Sequence, residues 1–249
     1  MSDLEETVEK LKSQVEGGLI VSCQAPTTSP LHRPEIIAAF ARAAEIGGAC
    51  AVRIDSPAHV AAVKAAVAIP VFGIYKVVDE ASEVYITPTF DAARAVAAAG
   101  ADIIAVDATA RRRPGGEHLA DLCARIRAES GVPVMADVAT FEEGVAAAET
   151  LGCDFVSTTL SGYTAETAHL VGAADFALVE RLAARVGVPV ICEGRLRSPE
   201  DARRALDAGA FAVVVGKAIT GVDNLIEDFM TAVKREVGHE QTRKNTKGV

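Results

Sequence analysis

The chain has 249 residues, half of them hydrophobic, and a formal net charge of −9. Its length fits one large α/β barrel of about 250 residues, its ordinary charged share argues against disorder, and its acidity argues against nucleic-acid or anionic-membrane partners. No apolar run approaches a membrane span and no apolar leader follows Met1, so the cytoplasm is the expected compartment.

The chain opens with Leu4, Val8, Leu11 and Val15 at helical spacing between charges, which predicts an amphipathic helix over residues 1–17 that caps one end of the domain. Gly17-Gly18 stops it. A unit then repeats: a short β-branched run, a loop, and an alanine-rich amphipathic helix. The predicted strands are Leu19–Ser22, Ala51–Ile54, Val71–Tyr75, Ile103–Val106, Val134–Asp137, Phe155–Thr158, Val190–Cys192 and Ala212–Val215. Most helices end in glycine, as at Gly100, Gly131, Gly187 and Gly209, where the left-handed position after a helix favours it. Pro70, Pro133 and Pro189 then open strands, where a missing N–H does no harm.

Near-continuous apolar strands alternating with helices imply a parallel sheet covered on both faces. Eight such units close into a (β/α)₈ TIM barrel with an N-terminal capping helix. The alternative, an open doubly wound sheet, normally shows a glycine-rich turn after its first strand, and Ser22-Cys23-Gln24-Ala25-Pro26 is not one. No Pro-, Gly- or Ser-rich linker divides the chain, so residues 1–249 read as one domain. The polar, basic stretch 239–249 reads as a frayed tail. The connection after strand three is long, Val77 to Pro88, with a β-like piece at Val84–Ile86, and long loops of this kind tend to be functional.

In such barrels the working groups stand at the C-terminal ends of the strands. The candidates are Gln24, Arg53 and Asp55, Lys76, Asp107 and Thr109, Asp137, Thr158 and Thr159, Glu193-Gly194-Arg195, and Gly216-Lys217. A structural ring of ion pairs is the competing reading of any one of them. Strands three and seven lie opposite in an eight-strand ring, which sets Lys76 and Glu193 on facing sides of a small molecule. A cation and a carboxylate flanking one carbon is what proton removal from one face and return on the other requires. The loops after strands seven and eight are the usual phosphate site; Gly194, Arg195, Gly216 and Lys217 are the candidates there. Cys23, Cys50, Cys123, Cys153 and Cys192 form no CxxC pair and read as reduced thiols, mostly buried. The five histidines show no metal-ligand spacing and read as surface or structural. Arg111-Arg112-Arg113 reads as a solvated or phosphate-near loop.

Taken together, Leu19–Gln24, Gly73-Ile74-Tyr75-Lys76, Asp107-Ala108-Thr109 with Arg113-Pro114, Met135-Ala136-Asp137, Thr158–Thr164, Glu193-Gly194 and Gly216-x-Ala218-Ile219-Thr220 resemble the N-acetylmannosamine-6-phosphate 2-epimerase family. The blocks run in order from Leu19 to Thr220. The resemblance implies a (β/α)₈ barrel acting in sialic acid breakdown on a phosphorylated amino sugar, with neither cofactor nor metal, and giving N-acetylglucosamine 6-phosphate. It implies Lys76 as the proton-shuttling lysine, Glu193 as its partner, and Gln24, Arg53 and Asp137 as holders of the hydroxyls, the carbonyl and the lysine.

Deprotonation at C2 needs the open-chain aldehyde, whose enolate oxygen Arg53 is suited to hold. The sequence departs from the family at Gly221, where arginine usually reaches the phosphate, and at Val77, where arginine usually follows the lysine. Lys217 or Arg195 is the expected substitute for the first. Competing readings are another sugar-phosphate barrel, such as an aldolase working through a Schiff base or a pentose-phosphate epimerase, and a barrel that binds a sugar phosphate without turnover. A homodimer is one option for the assembly, which the sequence leaves open.

Overall fold

The computed structural model describes residues 3–244, with side chains described as far as Lys234. Eight parallel strands, β1 (Leu19–Cys23), β2 (Ala51–Asp55), β3 (Val71–Ile74), β4 (Ile103–Asp107), β5 (Val134–Asp137), β6 (Phe155–Ser157), β7 (Val190–Glu193) and β8 (Ala212–Val215), pair in sequence order and close with β8 on β1. The predicted barrel is present, and each predicted strand lies within a residue of its observed bounds. The helix α1 (Asp3–Val15) buries Val8, Leu11 and Val15. Leu11 and Val15 join the barrel's interior cluster beside Ile20, Phe72 and Ile103, so the helix closes the N-terminal end as expected.

Outside the barrel run α2 (Pro34–Ile46), α3 (Pro57–Lys64), α4 (Phe90–Ala98), α5 (Leu119–Arg125) with a π-helical extension Ile126–Ser130, α6 (Phe141–Glu149), α7 (Phe176–Ala183), α8 (Pro199–Asp207), the single turn α9 (Lys217–Thr220) and α10 (Val222–Lys244). Helices α4, α6, α7 and α8 start on a Thr, Asp or Ser whose side chain accepts a backbone N–H of the first turn, and α6 has a full capping box from Thr140 and Glu143. At the other ends, Gly131 and Gly209 adopt φ of 63° and 95°, as the pattern implies, whereas Gly187 keeps a negative φ. Gly73 has a different reason to be glycine: a Cβ there would lie 2.4 Å from Val96 Cγ1 of α4, so the helix could not pack so close to β3.

Two layers of apolar side chains result. One lies between strands and helices and includes Val52, Ile104, Val156 and Val213. The other fills the barrel, from Ile20, Phe72, Ile103, Met135, Phe155, Ile191 and Val214. Helix α10 continues through Lys244, past the point where a frayed tail was expected to begin at His239; residues 245–249 lie outside the described residues. Among the described residues no helix is long and apolar enough to cross a membrane.

Candidate active site

A strand's side chains alternate between its two faces, and that period decides what lines the mouth. Counting by twos from inward apolar residues gives Ile20-Ser22-Gln24, Ala51-Arg53-Asp55, Phe72-Ile74-Lys76, Met135-Asp137, Phe155-Ser157-Thr159 and Ile191-Glu193. The interior is apolar up to one level and polar above it. A cavity of about 780 Å³ opens there, lined by Gln24, Arg53, Lys76, Tyr85, Thr159 and Glu193 and, farther out, by Arg195, Arg197, Gly216 and Lys217.

Arg53 forms the floor, with 1% of its side chain exposed. Its two terminal nitrogens meet both oxygens of Asp137, at 3.0 and 2.5 Å, and one of them also reaches Glu193 Oε2 at 2.6 Å. The Thr159 hydroxyl lies 2.7 Å from Asp137 Oδ1 and 3.1 Å from Glu193 Oε2, and Ser157 Oγ lies 2.8 Å from that hydroxyl. Burial alone would lower the Arg53 guanidinium, but the charges of Asp137 and Glu193 hold it above its ordinary value. Asp137 takes the paired contact with the guanidinium and Glu193 the single one, and all three side chains are largely buried. Burial accordingly pushes the Glu193 carboxyl up to about 7; the Asp137 charge adds to this, while Arg53, Thr159 and Lys76 oppose it.

Lys76 enters the cavity just beyond β3. Its ammonium donates to Gln24 Oε1, and Gln24 Nε2 donates in turn to Ser22 Oγ at 2.8 Å. Solvent reaches Lys76 through the cavity, but protein crowds its remaining sides. That loss of hydration lowers it below the usual lysine value, with the Arg53 charge adding to the effect and Asp55, Glu193 and Asp137 opposing it. Lys76 and Glu193 are thus displaced toward their neutral forms from opposite directions.

The long loop after β3 folds back as a small hairpin, with bridges at Lys76–Ile86 and Asp79–Ser82. Thr87 Oγ1 donates to Ala105 O at 2.7 Å and accepts Tyr75 N–H, while Arg113 donates to Pro88 O at 3.1 Å. The loop that sequence length singled out therefore presents Tyr85 to the cavity and fixes the exit of Lys76.

At the opposite side, Gly194 has φ of 107° and Arg195, without glycine's freedom, φ of 57°. The Arg195 guanidinium is held by carbonyls of the loop after β6, donating to Ala173 O at 2.9 Å and Ser161 O at 2.5 Å, and lies over the Tyr163 ring. Lys217 is 61% exposed and lies 3.8 Å from Asp228 of α10. A Cβ at Gly221 would fall 2.6 Å from Lys217 O, so this turn has no room for the arginine that the family usually carries there.

Of the sequence candidates, Gln24, Arg53, Lys76, Thr159, Glu193, Gly194, Arg195, Gly216 and Lys217 line the cavity, whereas Asp55, Asp107, Thr109 and Thr158 do not; Asp137 is fully buried beneath Arg53 and reaches the site through it. Sequence reasoning placed Thr159 only among strand ends, and gave no place to Ser22, Tyr85 or Arg197. The period of two flags Ser22 and Thr159, while Tyr85 and Arg197 sit on loops, where no such period applies. All five cysteines are free thiols, four of them buried. No cluster of His, Cys, Asp or Glu among the described residues could hold a metal ion.

Fold and site together define a (β/α)₈ barrel with a lysine, a glutamate and a buried arginine gathered at its mouth. Residues 37–235 match the family model described as "Putative N-acetylmannosamine-6-phosphate epimerase". Relatives bearing that provisional name, as 2-epimerases, include one from Thermosynechococcus vestitus, 53% identical over 90% of this chain and 96% of its own, and one from Cutibacterium acnes, 45% identical over 91% and 98%. The solved structure of the N-acetylmannosamine-6-phosphate 2-epimerase from Clostridium perfringens is 43% identical, covering 89% of this chain and 96% of that one with a TM-score of 0.85. The chain belongs to the N-acetylmannosamine-6-phosphate epimerase family.

Proposed function

We propose that the protein interconverts N-acetylmannosamine 6-phosphate and N-acetylglucosamine 6-phosphate by moving the proton at C2, as a cofactor-independent isomerase. The observation that carries this is one cavity holding a lysine and a glutamate, both drawn toward neutrality, above a buried arginine.

The neutral Lys76 amine takes the C2 proton of the open-chain sugar. The electrons of that C–H bond move into an enolate, whose oxygen the guanidinium of Arg53 stabilises, because its donors are already fixed by Asp137 and Glu193. The protonated Glu193 carboxyl returns a proton to the other face of C2, and exchange with water resets both groups. Gln24 holds Lys76 and meets a sugar hydroxyl, and Asp137 sets Arg53. The phosphate lies against Gly194 and Gly216, where missing side chains let backbone N–H groups approach, with Arg195 and Lys217 supplying charge. The five free thiols fit a reducing compartment such as the cytoplasm.

The test is proton NMR of N-acetylmannosamine 6-phosphate with the enzyme in D₂O. The epimer should appear with deuterium at C2. Epimer that keeps its original hydrogen would exclude exchange with solvent, and no epimer at all would exclude the function.

We also propose that the protein is a homodimer. Val222, Leu225, Ile226, Phe229, Met230 and Val233 recur at helical spacing along α10 and are exposed, Phe229 to 73%. So continuous an apolar stripe is costly in water unless a second copy covers it. Sedimentation velocity at micromolar concentration should show two chains per particle; a monomer would end the proposal.

A further inference from the structure

We propose that Asp55 is the positioning residue for Lys76: its carboxylate replaces a strand carbonyl that the backbone cannot offer, and it is the anion set closest against the lysine's own backbone. This inference rests on the reading of Lys76 as the proton carrier.

The β2–β3 ladder pairs Asp55 with Ile74. One step on, Ser56 N–H still donates to Ile74 O at 2.9 Å. In a parallel ladder the following bond would run from Lys76 N–H to Ser56 O. That carbonyl is committed elsewhere, since it accepts Val60 N–H at 3.0 Å in the first turn of α3. Ser56 makes this turn at φ 76°, a left-handed conformation that a residue with a Cβ rarely adopts. Lys76 N–H donates instead to Asp55 Oδ1 at 2.9 Å. The side chain of Asp55 thus extends the sheet by one bond, at the residue whose side chain must be aimed into the cavity.

Asp55 is itself fixed from behind. Its carbonyl is 3.0 Å from Nδ1 of His59, which is buried and packs edge-on against His32, and His32 Nδ1 lies 3.0 Å from Ala25 O, beside Gln24. Two histidines far from the chemistry in sequence therefore join the loop that carries Gln24 to the end of β2 at Asp55, and both Gln24 and Asp55 touch Lys76. Strain at a turn beside a working group is a recognised sign of function, and here it frees the position that Asp55 fills.

The charged and titratable groups facing Lys76 are Arg53 and Asp55 from β2, Tyr85 from the loop after β3, Asp137 from β5 and Glu193 from β7; the β1 neighbour, Gln24, is neutral. After burial, Asp55 exerts the largest effect on Lys76, and it favours the ammonium. Asp55→Asn keeps an oxygen for Lys76 N–H and removes the charge. Asp55→Ala removes both.

The experiment follows two readouts on the full chain. In kcat/KM against pH, activity rises as Lys76 loses its proton, so Asp55→Asn should move that rise to lower pH, with KM held within twofold. Asp55→Ala should lower kcat more than tenfold. The second readout is the pH titration of the Lys76 side chain by carbon-13 NMR of lysine-labelled protein, identified by its absence in Lys76→Met. It reads the same downward shift in Asp55→Asn whether or not the chosen sugar is the substrate. A Lys76 titration in Asp55→Asn that matches the wild type overturns the proposal, as does wild-type kcat in folded Asp55→Ala. A shifted titration in a protein that never epimerises the sugar would leave Asp55 in its place and sink the functional reading instead.

Discussion

Arg53 and Lys217 are cations lining the same cavity, and they are held in different ways. Arg53 is 1% exposed, locked by two carboxylates at 2.5 to 3.0 Å, and cannot swing. Lys217 is 61% exposed and meets Asp228 loosely at 3.8 Å. The floor of the site therefore presents charge in a fixed geometry and little water, where each electrostatic contact is strong. The rim presents charge on a hydrated arm, where it is screened. The groups proposed to act on the reacting carbon sit on the floor. The groups proposed to hold the distal phosphate sit at the rim, where a fixed geometry matters less.

The sharpest way to break this contrast is to remove the floor's working groups. Lys76→Ala and Glu193→Ala should each lower kcat by roughly 10²–10⁴-fold, the usual worth of a positioned acid or base. The far-ultraviolet circular dichroism should stay unchanged, because neither side chain belongs to the apolar layers. Near-normal turnover in both would mean that the floor is only an ion-pair cluster.

The second test uses pH without substrate. Burial pushes the Glu193 carboxyl up to about 7 in the folded chain, against an ordinary 4.5. Between those values the folded chain holds this proton more tightly than the unfolded one. Its contribution to stability is therefore fully present below the lower value and declines as pH rises toward the higher one, the reverse of a carboxylate whose value is depressed. Glu193→Gln cannot ionise, so its urea midpoint should decline less than that of the wild type across this interval. The difference should be no more than about 3 kcal/mol. Parallel curves for the two proteins would place Glu193 in an ordinary, well-solvated setting.

The floor was legible in the sequence and the rim only in part, for a physical reason. On the floor, strand period and barrel topology together dictate position: once Phe72 and Ile74 point inward so must Lys76, and β3 must face β7. Arg53 and Asp137 follow by the same counting, although the sequence alone did not tell that Asp137 would lie behind the arginine rather than against the cavity. Loop residues escape this counting. Tyr85 arrives through a hairpin fixed by Thr87 and Arg113, and Arg195 is turned toward two carbonyls by a positive φ. The role argued for Asp55 needed the observation that Ser56 O is already spent on α3. The apolar residues of α10 have helical spacing in the sequence, but spacing alone does not distinguish a face packed on the barrel from one left exposed, as this one is.

The smallest effect belongs to the rim. The turn around Gly221 excludes a side chain, so on the proposed reading the phosphate's charge falls to the neighbouring strand ends. Arg195 already spends two donors on Ala173 O and Ser161 O, so its position resists change but its free donors are few. Among the described residues, the Lys217 side chain has only its distant contact with Asp228 to give up, and can turn to a phosphate at little cost. Lys217→Ala should therefore raise KM about two- to fivefold, matching the roughly 0.2–1 kcal/mol of an exposed ion pair, with kcat within twofold. Because the charge is hydrated, the difference should shrink as salt is raised from 0.05 to about 0.5 M, where the screening length falls to a few ångströms. A KM unchanged at low salt would remove Lys217 from phosphate binding. A loss of kcat instead would mean that this hydrated lysine acts on the reacting carbon, and the division between floor and rim would fail.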